Sequence, residues 1–376
     1  MNNISTANLP EVTSLNAIND ILINANGTTS RISISNFVGA LVRRVSAQGA
    51  NGIYPIDTTG LPTGDVTVPN SVTTLSSSIF QNNKNVTSVS LPSKMSALNN
   101  NSFSGCSNLQ EVNIPLNATS IPSYCFHNCS TLNTVSILDN ITSIKDFAFS
   151  KCTNLKNISI EEGANYSIAR HAFDRCDSLT NEDVENILSH VDLSSTLGDY
   201  IFLGCQGITD ITVKVVGESM FNSCPNLVNA RILSFLSTNI LGNSVFGSCS
   251  KLETCYLPDG ITRIGATVFA DCTSLKKVYL PSSINSATNN SLAISNYHIF
   301  RNCSVLEEVQ LGKDWNMSLL LSMSDNFTVD SMVAMFNNLK DLTNETAKTL
   351  TLGATNLAKL SDEQKAIATN KNWTLA

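Results

Sequence analysis

Cysteine and histidine are the residues of this chain most able to do chemistry, because both ligate metals and both serve in catalysis. The chain has 11 cysteines and four histidines. Cys125, His127 and Cys129 lie close enough in sequence to begin a metal site. A structural zinc site needs about four converging ligands, and no C-x-x-C pair is present to supply the rest. The segment therefore predicts neither a metal site nor a bound cofactor.

Nine of the 11 cysteines occupy one position of an internal repeat, three residues after a phenylalanine. The commonest step between successive copies is 23 residues, as between Phe126 and Phe149. Stacked copies would place these thiols in a file inside the protein, and free cysteine is among the most buried residue types. We expect structural thiols in a reducing compartment. The anchors are Phe80, Phe103, Phe126, Phe149, Phe173, Phe202, Phe221, Phe246, Phe269 and Phe300.

No other pattern in the sequence predicts catalysis. The four histidines lie in different copies of the repeat with no shared spacing, and adjacent acids such as Glu161 and Glu162 are typical of solvated surface. Phosphate-binding, dinucleotide-binding, zinc-protease and nucleophile-elbow motifs are absent from the sequence. We therefore predict that the protein is not an enzyme.

The repeat itself predicts the fold. Residues 141–160 and 261–280 share the frame I-x-x-I-x-x-x-x-F-x-x-C-x-x-L-x-x-(V/I)-x-(I/L). A period in the twenties with fixed apolar positions is typical of a solenoid, whose coils bury one shared core. The alternating end of the frame indicates a short strand, and its I-x-x-I-x-x-x-x-F part has a spacing nearer to a helical turn. We expect an α/β solenoid of about ten coils, each with one strand and one short helical turn.

The frame resembles the leucine-rich repeats of the BspA-like family, with copies from about Ile79 to Leu311. Members of that family are largely bacterial surface proteins and adhesins. The resemblance therefore implies a binding surface rather than an active site.

Residues 1–48 lie outside the repeat and form a segment of their own. Asp20–Asn24 and Thr29–Ile34 read as two strands around Asn26-Gly27, a strong hairpin turn signal. The segment resembles the N-terminal attachment segments of bacteriophage fibre and appendage proteins. The resemblance implies contacts with other virion proteins, for which the candidate residues are Leu9, Leu15, Ile21, Ile23, Phe37 and Leu41. The alternative is a cap over the first coil, which solenoids generally need.

The remaining boundaries follow from breaks in the repeat. Residues 49–70 are rich in Gly and Pro and indicate a linker or an irregular first coil, residues 71–314 hold the repeats, and residues 315–376 form C-terminal capping repeats. Apolar spacing predicts a helix over 181–191, with Thr180 and Asp183 as its capping box. Ser361 and Gln364 predict a second capping box.

Composition excludes several classes of partner. The net charge is −7 and only 14% of residues are charged, so the clustered Lys and Arg that nucleic-acid binding requires are missing. No run of 18 apolar residues is present, so we expect no membrane span. The residues after Met1 lack a basic region followed by an apolar core, so we expect no secretory signal.

Outward positions of the strands provide the candidate binding residues. The middle residue of each strand should point to solvent, and Arg and Tyr are enriched at binding hot spots. Arg231, Tyr256 and Tyr279 hold this position in successive coils. Tyr297 and His298, at the end of a polar insertion over 282–298, are further candidates. The alternative is an ordinary solvated sheet face, where Tyr is favoured by β-propensity alone.

These inferences together predict a non-enzymatic appendage of a bacteriophage virion, assembled in the host cytoplasm. Its partners would be other virion proteins and a host-cell surface protein or glycan. Fibres of the kind it resembles are usually trimers, so the resemblance also implies a homotrimer. The alternative is a BspA-like adhesin on the bacterial cell surface, which an upstream signal sequence would favour.

Overall fold

The computed structural model describes residues 64–68, 74–75, 77–233, 239–284 and 299–376, and the backbone alone of 20–25 and 28–33. The fold is a β-solenoid of about 12 turns with few helices, as the repeat predicts. The predicted number of coils is lower because turns after Leu311 lack the Phe–Cys pair. The chain divides into two compact units, Met1–Leu179 with His190–Thr196, and Thr180–Ser189 with Leu197–Ala376.

The first unit begins with the hairpin that the Asn26-Gly27 signal predicts. Strands β1 (Asp20–Ala25) and β2 (Thr28–Ser33) pair antiparallel, and β1 also pairs antiparallel with β3 (Gly64–Thr67). From β3 onward, pairing is parallel, in the order β2-β1-β3-β4-β5. The unit's other strands form the sheets β6-β8-β10 and β7-β9. These strands are β4 (Val86–Ser90), β5 (Glu111–Val112), β6 (Ser120–Ile121), β7 (Ser136–Ile137), β8 (Ser143–Ile144), β9 (Ser159–Ile160) and β10 (Ser167–Ile168).

The second unit contains a parallel five-stranded sheet that carries the candidate site. Its order is β11-β12-β14-β16-β17, and β13-β15 and β18-β19-β20 are two smaller parallel sheets. The main strands are β11 (Asp210–Val213), β12 (Asn229–Ile232), β14 (Thr254–Tyr256), β16 (Lys277–Leu280) and β17 (Glu308–Leu311). The others are β13 (Ile240–Leu241), β15 (Arg263–Ile264), β18 (Leu319–Leu320), β19 (Lys348–Thr351) and β20 (Trp373–Leu375).

Stacked phenylalanines form the centre of each unit. Phe80, Phe103, Phe126, Phe149 and Phe173 are buried, with consecutive ring centroids 5.2–5.4 Å apart and nearly parallel planes. The anchors from Phe202 to Phe300 repeat this stack in the second unit at 5.5–6.1 Å. Each stacked aromatic pair contributes about 0.5–1.5 kcal/mol beyond its buried area.

The repeat cysteines lie beside these rings. All 11 cysteines are buried free thiols. In eight copies the thiol donates to the carbonyl oxygen of the preceding copy's phenylalanine; Cys152 Sγ, for example, lies 3.0 Å from Phe126 O. Burial raises the pKa of the Cys249 thiol to about 12, so the reactive thiolate is strongly disfavoured. The file of thiols is therefore structural, and in these eight copies the S–H satisfies a backbone carbonyl oxygen.

The sequence predicts one short helical turn in each coil, and this part of the prediction is wrong. The second Ile of the frame lies in a two-residue strand, as Ile144 does in β8, so many coils carry two short strands. Backbone N–H groups around the phenylalanine bond alternately within the turn and to the next coil: Cys129 N donates to Phe126 O, whereas Phe126 N donates to Ala148 O. Residues two before and two after the phenylalanine have a positive φ of 51–77°. A helix cannot continue through such positions.

The described part of the second unit also contains four helices, and both predicted capping boxes are confirmed. Helix α1 (Asn181–Ser189) opens with Thr180 and Asp183, whose side chains bond each other's backbone N–H. Helix α2 (Val329–Asn337) precedes α3 (Ala354–Leu357) and α4 (Asp362–Thr369), and α4 opens with the Ser361–Gln364 box. The ammonium of Lys371 donates to the carbonyl oxygens of Phe336, Asn337 and Leu339 at 2.9–3.0 Å, which satisfies the carboxyl end of α2.

Candidate binding surface

One row of exposed and half-buried side chains crosses the main sheet of the second unit. Strand register places Thr212, Arg231, Tyr256, Tyr279 and Gln310 side by side on five successive strands. The residues on either side of each row position are buried, so the alternation of the strands alone turns this row outward. Tyr256 is 40% exposed. The structure therefore aligns the three central candidate residues on neighbouring strands.

The three central side chains form a continuous stack. The Tyr256 and Tyr279 rings are parallel within 8°, with centroids 4.8 Å apart. The Arg231 guanidinium carbon lies over the Tyr256 ring, 5.2 Å from its centroid. Arg231 and Tyr279 come from the strands on opposite sides of Tyr256, so they cover its two faces. Ring edges, the Tyr256 hydroxyl and guanidinium N–H groups remain available at the surface.

A carboxylate holds the end of the stack. The Tyr279 hydroxyl donates a hydrogen bond to Asp259 Oδ1 at 3.1 Å. Partial burial, and then this bond and the nearby carboxylate charge, raise the pKa of Tyr279 to about 12. Tyr279 is therefore a neutral donor that is already engaged, whereas no described residue bonds the Tyr256 hydroxyl.

A polar row runs beside the aromatic row, two residues earlier on each strand. Thr254 Oγ1 donates to Asn229 Oδ1, and Asn229 Nδ2 donates to Asp210 Oδ1, both at 2.6 Å. Lys277 Nζ pairs with Glu308 Oε2 at 2.9 Å. The chain of hydrogen bonds fixes these groups and leaves the Asp210 carboxylate as its terminal acceptor. Sequence inspection missed this row, although strand register alone would have found it.

The two rows line a shallow groove of about 320 Å³. Its charged lining residues are Asp210, Arg231 and Lys277. Lys277 is paired with Glu308, but Arg231 makes no ion pair with any residue that the structure describes. The groove therefore presents an uncompensated guanidinium beside a tyrosine hydroxyl.

The other predicted site residues are not placed. Tyr297 and His298 lie outside the described residues, as do Leu9, Leu15, Phe37 and Leu41. Ile21 and Ile23 lie in β1, where only the backbone is described. The proposed contacts of these residues stay predictions.

A second aromatic stack lies in the first unit, on the turns between strands. Tyr124, Phe147 and His171 stack in parallel with centroids 4.8 and 4.6 Å apart, at the left-handed position two residues before each phenylalanine anchor. Tyr124 is exposed at its end. The sequence pattern did not reveal this stack because the position holds unrelated residue types in other copies.

The described residues contain neither a metal site nor a membrane-spanning helix. Among them, no group of three or more His, Cys, Asp or Glu side chains is arranged to hold a metal ion. Cys129 of the C-x-H-x-C segment instead donates its thiol hydrogen to Phe103 O. The described helices include none with the length and apolarity of a membrane span.

Solved structures of leucine-rich repeat proteins resemble this fold. A leucine-rich repeat protein from Bacteroides ovatus is 17% identical, covers 86% of this chain and 88% of its own, and has a TM-score of 0.45. A leucine rich cell surface protein from Faecalibacterium prausnitzii is 20% identical, with coverages of 69% and 89% and a TM-score of 0.33. The pneumococcal vaccine antigen PcpA is 15% identical, with coverages of 95% and 97% and a TM-score of 0.42. No curated protein matches the sequence.

The fold and the exposed sheet define a leucine-rich repeat solenoid, a class whose members are typically non-enzymatic binding proteins. The BspA type leucine rich repeat region matches residues 61–180 and 181–298 in six copies, more than half of the chain. The protein belongs to the BspA type leucine-rich repeat family.

Proposed function

We propose that this protein is a non-enzymatic binding protein that attaches to a bacterial cell surface through its main sheet. The observation that carries the proposal is the Arg231–Tyr256–Tyr279 stack in the groove. Arg and Tyr dominate the binding energy of many interfaces because they combine large contact area with directed hydrogen bonds. Stacking also restricts their rotamers before binding, which lowers the entropy lost on association.

The setting of this surface is, in our proposal, a bacteriophage virion. The support is the resemblance of residues 1–48 to the attachment segments of phage fibres and appendages. The segment would join the repeats to other virion proteins, as one chain of a homotrimer. The second candidate is an adhesin of the bacterial surface, which is favoured by the family's BspA type.

Mass spectrometry of gradient-purified particles from the source culture distinguishes the two settings. The virion proposal predicts peptides of this chain at a stoichiometric level in the particles. Recovery of the chain in bacterial envelope fractions, with none in the particles, would refute the virion setting and establish the adhesin as the better proposal.

The binding proposal is tested separately, with the purified full-length chain and whole bacterial cells. The double variant Tyr256→Ala with Tyr279→Ala should lose cell binding, whereas Tyr124→Ala should keep it. Tyr124 is a matched control because it removes an exposed, stacked tyrosine from the other unit. Unchanged binding by the double variant would refute the assignment of this sheet as the binding surface.

A further inference from the structure

We infer that the groove on the main sheet of the second unit (β11-β12-β14-β16-β17) binds a sugar that carries a carboxylate. The Arg231 guanidinium would contact that carboxylate. The inference rests on the proposed function of this sheet as a binding surface. It adds the chemical class of the ligand, which follows from which polar groups of the groove lack a described partner and which already have one.

Charge complementarity favours an anionic ligand. The protein has a net charge of −7, yet Arg231 is exposed and makes no ion pair with a described residue. Its guanidinium carbon lies over the Tyr256 ring, and its N–H groups bond no residue that the structure describes. Such a planar fork matches the two oxygens of a carboxylate.

Both faces of the Tyr256 ring are already occupied. Neutral sugars commonly pack against an open aromatic face. Here Arg231 covers one face of Tyr256 and Tyr279 covers the other. Tyr256 therefore offers its ring edge and its hydroxyl, which is a hydrogen-bond donor. At Tyr256, recognition therefore comes from the hydroxyl donor and the neighbouring charge rather than from ring stacking.

Negative charges limit the ligand to an isolated anionic group. The carboxylates of Asp210, Asp259 and Glu308 lie at or beside the groove, where they would repel a highly sulfated or phosphorylated polymer. Asp210 can instead accept a hydrogen bond from a sugar hydroxyl. The exposed side chains of Thr212 and Gln310 add further polar contacts along the row.

A protein partner fits this face less well. Specific protein interfaces bury about 800 Å² per partner around an apolar centre. Among the described residues of this sheet face, the large exposed apolar side chains are Tyr256 and, just after β12, Leu233. The groove volume of about 320 Å³ lies at the low end for small-ligand sites, which suits a terminal monosaccharide.

The test measures binding of the full-length chain to immobilised oligosaccharides by biolayer interferometry. The probes end in N-acetylneuraminate, glucuronate or galacturonate, and each is paired with the same glycan after reduction of its carboxyl group to an alcohol. This reduction removes the charge and keeps the sugar's shape. We expect the affinity for at least one acidic probe to exceed the affinity for its reduced partner by about 10-fold or more. One hydrogen bond to a charged group accounts for a difference of this size.

Two variants assign that preference to Arg231. Arg231→Gln should lose the preference for the acidic probe. Arg263→Gln removes an exposed arginine on another sheet, so it should keep the preference. Equal binding of acidic and reduced probes, no binding of any acidic probe, or a preference that survives Arg231→Gln would overturn the inference.

Whole-cell binding separates failure of this inference from failure of the proposed function. Loss of cell binding in the double tyrosine variant, with no effect of carboxyl reduction of the cell envelope, would overturn the acidic sugar and keep the binding surface. Cell binding that survives the double tyrosine variant would instead refute the binding surface itself.

Discussion

Replacing one ring of the phenylalanine stack should cost more inside the stack than at its end. Phe246 stacks on Phe221 and Phe269, with centroids 6.1 and 5.9 Å away, whereas Phe300 stacks on Phe269 alone among the residues that the structure describes. Both side chains are fully buried. Phe→Leu at either position loses similar apolar area, so the two variants differ by one stacked ring pair.

The expected magnitude follows from these contacts. Removing a few buried carbons and leaving a small cavity costs about 1–3 kcal/mol at either position. One ring pair adds about 0.5–1.5 kcal/mol. The free energy of unfolding should therefore fall further in Phe246→Leu than in Phe300→Leu by about 0.5–1.5 kcal/mol.

Guanidinium denaturation followed by far-ultraviolet circular dichroism measures this difference, provided that the m-values agree. Hydrogen exchange provides a local check, because neighbouring coils share each ring contact. The protection of backbone amides against hydrogen exchange should fall in β14 and β16 of the Phe246→Leu variant. An equal or larger loss of stability in Phe300→Leu would refute the reasoning that ring stacking couples successive coils.

Three further predictions concern the ends and the interior of the repeats. Lys371→Met should lower the free energy of unfolding by about 2–4 kcal/mol, because the ammonium satisfies three carbonyl oxygens at the end of α2. The control Lys313→Met, at an exposed lysine without a described partner, should change the free energy of unfolding by less than about 0.5 kcal/mol. Equal effects of the two variants would contradict this role of Lys371. Burial, and then Lys151, lower the pKa of His127 in the folded state below 6.5. The stabilisation from neutral His127 is thus present above pH 6.5 and is lost as the pH falls through the folded pKa. His127→Ser, which matches Ser104 and Ser150 in the adjacent copies, should flatten stability against pH in that window, and an unchanged slope would argue against it. Finally, the native protein should show no iodoacetamide-reactive thiols by intact mass, whereas the denatured chain should react at all 11; rapid labelling of the native protein would contradict structural thiols.

The sequence predicts the solenoid well because three buried residues per copy recur at fixed spacing. The apolar residues at the Phe, Cys and Leu positions indicate burial directly. The strand after them is indicated by its alternation of inward and outward residues. The left-handed turn positions were missed because φ is set there by the path of the chain between coils. Residues as different as Tyr124, Lys151 and Thr267 adopt it, so no residue type marks the position.

The candidate site was predictable in position but not in arrangement. Alternation along each strand identified Arg231, Tyr256 and Tyr279 as outward residues, and register aligned them. Their stacking depends on rotamers, which side-chain contacts decide. The same holds for the Asp259 contact that fixes Tyr279 and for the polar row from Asp210 to Thr254. Such contacts between coils have no signature within a single copy.

The most direct test of the binding surface is the affinity of the full-length chain for bacterial cells, compared between the unmodified protein and the Tyr256→Ala, Tyr279→Ala double variant. Each hot-spot residue contributes at least about 2 kcal/mol, roughly 30-fold in affinity. We expect the double variant to bind at least about 30-fold more weakly, while Tyr124→Ala binds as the unmodified protein does. Equal affinities for the unmodified protein and the double variant would show that this sheet is not the surface that contacts the cell.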